Sequence, residues 1–218
     1  MNWMNIACSL VLLFHIFTSS VSKPTWADES GPWNAAPSTE LLQLLEDVHE
    51  RYGPDTVSLL GLLLHATNHS GSVLTASVRV NDPEKLENST FLSFQVETGL
   101  IFNTTTADQA TRLSTLWKKI LAESFARLKT LQVPADGVTV SLRYYHRPYG
   151  DIEDESDLTD EPGTAEEAKF YFEGEQLQAF LGNMLPAQDL ISHTLILVNN
   201  TPVVLVLPKE KTAGGNRE

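Results

Sequence analysis

Cysteine is nearly missing from this chain: Cys8 is the only one in 218 residues. Charged side chains are missing from residues 1–22 altogether. Basic residues are scarce, 15 Lys plus Arg against 28 Asp plus Glu, for a formal net charge of −13. Long apolar runs are missing as well, since none reaches the roughly 20 residues that a helix needs to cross a bilayer.

Each gap excludes something. Ile6 to Phe17 is an apolar stretch of the length of a secretory h-region, followed by the small residues Ser19 to Ser22. Residues 1–22 therefore read as a signal peptide cut before Lys23, with Ser20 and Ser22 at −3 and −1. The one departure is an amino-terminal region without Lys or Arg; an uncleaved signal-anchor is the alternative. Cleavage removes Cys8, and with it disulfides, thiolate catalysis and Cys-ligated zinc. The acidic balance argues against binding nucleic acid or an anionic membrane, because like charge repels. No membrane span is expected in the mature chain. The expected location is outside the cell, reached by the secretory pathway.

Four Asn-x-Ser/Thr sequons agree with that route: Asn68, Asn88, Asn103 and Asn199. Asn200 is not a sequon, because Pro202 rather than Ser or Thr stands two residues on.

The organisation reads as α+β: a single domain, residues 38–208, with a mostly antiparallel sheet of about five to six strands packed by about four helices. A Pro- and Trp-containing arm, residues 23–37, precedes it, and a polar tail, 209–218, follows. Ser38 and Asp55 are expected to cap two helices. The first carries Leu41, Leu42, Leu45 and Val48 at helical spacing, and the second is apolar all round, as a central helix would be. Leu74 to Val80 and Leu92 to Val96 alternate as two strands, with Asn81–Glu84 as the turn between them. Thr106 and Gln109 form a capping-box pattern. It opens a long helix whose apolar stripe runs from Ala110 to Leu131. Val138 to Tyr144 alternates as a strand, Lys169 to Phe172 suggests another, and Leu177 to Leu185 a short helix stopped by Pro186. Thr194–Val198 and Val203–Leu207 flank Asn199–Pro202 as a hairpin; apolar on both faces, it is expected to be central in the sheet or covered by helices.

The most distinctive segment is acidic. Asp151, Glu153, Asp154, Glu155, Asp157, Asp160, Glu161, Glu166 and Glu167 follow one another with no basic residue between them. Such a block repels itself and resists burial. The plain expectation for 151–167 is a solvated, disordered insertion. The functional one is a docking strip, Asp151 to Glu161, for a partner with a basic surface. A calcium loop is a third reading, weakened by Ser156 where an EF loop needs glycine. Tyr149, beside Gly150 and the acids, is a candidate for tyrosine sulfation; a half-buried strand-end tyrosine is the plain alternative.

Other chemistry is thin. His65 and His69 have the spacing of zinc ligands on a helix, but Asn68 is a sequon and no Glu follows His65. No nucleophile elbow, P-loop or dinucleotide fingerprint occurs. No catalytic, cofactor-binding or metal-ligating residue is therefore assigned, and no cofactor is expected. Trp26 and Trp33 are either anchors for a partner or a cover over the chain's own core. The expectation is a secreted N-glycoprotein with a non-enzymatic binding role. The alternatives are a hydrolase using carboxylates and a carrier of small apolar ligands.

Overall fold

The computed structural model describes residues 39–67, 77–148 and 163–208. The signal segment, Trp26, Trp33, Ser38, Asn68, His69, Leu74, Ala76, Tyr149, the strip from Asp151 to Glu161 and the tail lie outside them.

The fold is α+β, built on one six-stranded sheet. Two helices come first, α1 (Thr39–Tyr52) and α2 (Pro54–Thr67). Gly53, at φ +87°, makes the turn between them, a conformation that a residue with a Cβ adopts only under strain. Leu41, Leu45 and Val48 form the buried stripe of α1. In α2 burial extends around the helix, as its composition implied. Pro54 is the first residue of α2, where its missing N–H is no loss. Asp55 consequently lies inside the first turn instead of capping it. Its Oδ2 accepts the amide of Gln132 at 2.8 Å and so ties down a distant loop.

The strands are β1 (Val78–Leu86), β2 (Ser89–Asn103), β3 (Gly137–Arg147), β4 (Thr164–Glu173), β5 (Leu195–Val198) and β6 (Thr201–Val203). They lie in sequence order across the sheet. All neighbours are antiparallel except β2 and β3, which run parallel. A parallel pair needs a crossover, and a helical segment supplies it: α3 (Gln109–Leu116), a π-helical turn (Trp117–Ala122) and the short α4 (Glu123–Phe125). The helices α5 (Gly174–Leu181) and α6 (Ala187–Ser192) join β4 to β5.

The π turn has a cause in the sequence. The buried pairs Arg112/Leu113, Leu116/Trp117, Ile120/Leu121 and Ser124/Phe125 recur every four residues. A plain α-helix repeats every 3.6 residues, so such a stripe would drift around it. The wider i→i+5 turn takes up the excess and keeps the stripe on the sheet.

One face of the sheet carries the core. Leu92, Phe94 and Val96 of β2 stand beside Val138, Val140 and Leu142 of β3, and these beside Phe172, Phe170 and Ala168 of β4. All nine are at most 1% exposed. Trp117, Phe125, Phe172 and Phe180 meet with ring centroids 5.2–6.4 Å apart. Truncating Phe172 to alanine should cost about 4 kcal/mol, as large-to-small changes in filled cores do.

Several expectations need correcting. The first hairpin turns at Glu87–Asn88; Asn81–Glu84 forms a bulge within β1, where Pro83 has no ladder N–H to give. Asp108, not Thr106, caps α3, accepting the Thr111 amide at 2.8 Å. The crossover helix stops at Phe125, well before Leu131. β4 begins at Thr164, so Glu166 and Glu167 belong to a strand and the acidic insertion ends sooner than residue 167. The β5–β6 hairpin is at the edge of the sheet, not in its middle, and Val204 and Val206 are 89% and 71% exposed. The helix expected over Leu177–Leu185 ends at Leu181 with Gly182 as its C-cap, and Pro186 instead stands at the start of another helix, α6.

Candidate functional site

Among the described residues no helix is long and apolar enough to cross a membrane. No group of three His, Cys, Asp or Glu gathers there closely enough to hold a metal ion. The polar chemistry concentrates in two clusters and at the foot of the acidic strip.

The first cluster lies between α3 and the sheet. Arg112 sends Nη1 to the carbonyl of Ala107 at 2.8 Å and Nη2 to Glu166 Oε2 at 3.2 Å. His146 Nε2 stands 3.7 Å from the other oxygen, Oε1. The side chains of Arg112 and Glu166 are only 10% and 13% exposed. Tyr144, opposite Glu166 in the ladder, is fully buried with its ring edge-on to Phe102 at 5.5 Å. Its hydroxyl makes no hydrogen bond of sound geometry. Burial, and then the Glu166 carboxylate, push its phenol far above the usual range.

The second cluster is on the opposite, open face. The bulge in β1 turns Glu84 across the sheet to β4. There it accepts the Tyr171 hydroxyl at 2.6 Å and Lys169 Nζ at 3.2 Å on both oxygens. Phe91 meets Tyr171 edge-on at 5.4 Å and its ring passes over Gly137, where a Cβ would sit 2.8 Å from it. These long side chains lie across a floor of small residues. Ser93, Thr139 and Ser141 are at most 5% exposed, on the face opposite the core residues Leu92, Phe94, Val138, Val140 and Leu142. The Thr139 hydroxyl is buried without a partner. Tyr171 too is raised far above its usual range, by burial first and by Glu84 second.

The strip itself leaves from a fixed base. β3 and β4 stay paired up to His146 and Thr164, and the Arg112–Glu166 pair sits at that end. Gly163, at φ +87°, begins the return; a Cβ there would come within 2.7 Å of the His146 carbonyl. Of the nine acids, Glu166 and Glu167 are strand residues, which leaves the seven from Asp151 to Glu161 outside the described residues.

Three sequons are described. Asn88 is exposed in the β1–β2 turn. Asn103 ends β2 opposite Arg147, toward the end from which the strip departs. Asn199 is exposed in the β5–β6 turn, and its Oδ1 accepts the Glu167 amide at 3.1 Å, which leaves the carboxamide nitrogen for a glycan. Asn199 and Asn200 both have positive φ, the twist that a two-residue hairpin requires.

Sequence reasoning missed both clusters. Their members are far apart in the chain: Arg112 and Glu166 by 54 residues, Glu84 and Tyr171 by 87. The one available signal was the pair Glu166-Glu167, set between Ala165 and Ala168, leading into the apolar run Phe170-Tyr171-Phe172. No family model matches the chain, and neither curated proteins nor solved structures give a match.

Proposed function

We propose that the chain is a secreted N-glycoprotein that works by binding, and that Asp151 to Glu161 contacts a basic surface on an extracellular or lumenal partner. One observation carries this reading. The seven acids join two strand ends that remain hydrogen-bonded to the last pair and are held by a nearly buried Arg112–Glu166 ion pair. A strip of one charge sign is thus tethered at both ends to a firm base, which limits the ordering entropy that docking must overcome. The β1–β2 turn that carries Asn88 is at the opposite end of the strands from the last β3–β4 pair, His146 and Thr164.

The test is affinity recovery from conditioned medium. Tagged wild type is compared with a variant in which the seven acids become Asn or Gln, and bound proteins are read by mass spectrometry. A basic partner recovered by wild type alone, and lost as salt shortens the reach of the charges, is the expected result. The same proteins recovered by both, or failure of the chain to leave the cell with glycans attached, would sink the reading.

A further inference from the structure

The geometry points to self-association: two copies of this chain pair antiparallel through the extended segment Val203–Leu207. This goes beyond the binding role of the strip and uses a different part of the molecule.

The segment follows β6, the outermost strand at one edge of the sheet among the described residues. Along it exposure alternates, with Val204 89%, Leu205 3% and Val206 71% exposed. Alternation of that kind is the signature of extended chain. Hydrogen bonding has the same parity. Val203 pairs with Ile196 of β5, and the Leu207 amide, two peptide pairs on, is taken by Gln188 Oε1 of α6 at 2.8 Å. Residues of odd number thus direct their amides inward, and Val204 and Val206 direct theirs outward. Beside Val206 the surface opens into a groove of about 350 Å³, bounded by Pro208, by Asp108, by Thr111 and Thr115 of α3 and by Lys118 of the π turn.

Edge strands are ordinarily guarded by charges. Here no Asp, Glu, Lys or Arg occurs between Leu190 and Pro208, in a chain whose net charge is −13. Elsewhere two copies repel; along this segment they do not. The occupant that fits is a second copy, because the segment matches itself. With a two-fold axis at Leu205, Val204 faces Val206 of the other copy, and each of these residues offers one N–H and one C=O. Pro202 and Pro208 fall opposite each other at the ends of the pairing, where neither has an N–H to leave unsatisfied. The Asn199 side chain is directed to β4, so a glycan there starts outside the pairing.

The secreted, glycosylated full chain is examined by sedimentation velocity from about 1 to about 100 µM, the range of weak dimers. Two double variants at the exposed positions accompany it, with circular dichroism as the folding control. V204E/V206E sets like charges against each other across the axis and should raise the dissociation constant roughly tenfold or more. V204K/V206E sets each Lys against a Glu of the other copy and should remain dimeric. A wild type that stays monomeric throughout overturns the proposal. So does a dimer that V204E/V206E leaves intact, and so does a V204K/V206E protein as monomeric as the double Glu variant.

Discussion

Arg112–Glu166–Tyr144 and Lys169–Glu84–Tyr171 contain the same three kinds of side chain, a cation, a carboxylate and a phenol. Their surroundings differ. The first is enclosed between α3 and the sheet, with its charged groups 10% and 13% exposed. The second lies on the open face, where Lys169 and Glu84 are 19% and 33% exposed. In the second, Tyr171 donates to its carboxylate; in the first, Tyr144 faces the carboxylate without bonding it. Burial thus decides what each member contributes. In an enclosed site the ion pair itself holds the structure, because either partner alone would be a charge without water. On the open face water can replace the pair, and the short phenol–carboxylate bond matters more.

The sharpest way to break this contrast is Glu166→Gln. It leaves the Arg112 guanidinium nearly buried beside a neutral amide, and should destabilise the fold by about 3 kcal/mol in urea denaturation. Replacing both partners, Arg112→Met with Glu166→Leu, should recover most of that loss. If the single change costs no more than an exposed pair does, the two clusters are not different in kind.

Tyr171→Phe comes next, at about 1 kcal/mol for a lost hydrogen bond to a charged group that water can partly re-solvate. Its pH dependence has a definite sign. A phenol raised above its unfolded value of about 10 adds stability below that pH and loses it as pH rises further. Unfolding free energy should therefore fall above pH 10, and fall less in Tyr171→Phe; identical alkaline slopes would count against the Glu84 bond.

A smaller effect is expected at the cap of α3. The Thr111 side chain and amide hold the Asp108 carboxyl below its usual value of 3.8. A lowered carboxyl contributes above its unfolded pKa and ceases to contribute as pH falls through the folded one. Asp108→Ala should lower the melting temperature slightly at neutral pH and not at strongly acid pH. The smallest change is Tyr144→Phe, which removes a buried hydroxyl that has no partner; stability should stay within about 0.5 kcal/mol or rise. A loss as large as that of Tyr171→Phe would mean that Tyr144 bonds Glu166 in solution.

Much of the fold was legible in the residues. Alternation gave β3, and all-round apolarity marked α2 as central, because both depend on local period alone. Misreadings arose where a local signal met a tertiary one. Asn81–Glu84 has turn residues, but a bulge uses the same residues. The β5–β6 segment is apolar on both faces, which a central strand and an unguarded edge share. The clusters were not legible, since no local rule links β1 to β4. The π turn was not legible either: the stripe from Ala110 to Leu131 reads as one long helix, and the four-residue spacing shows only once the burial of the polar Arg112 and Ser124 is known.

That π turn shapes how this protein can change. A loop between strands accepts an added or lost residue with little penalty. A plain α-helix does not, because a lost residue turns everything after it by about 100° about the axis. The stretch from Trp117 to Ala122 differs: its wider turn holds about one residue more than ordinary helix needs, so losing one there restores ordinary helix and leaves Ser124 and Phe125 facing the sheet. Length variants of this chain should therefore concentrate in its loops, such as the one between Ala126 and Asp136, and, within the crossover helix, at the π turn.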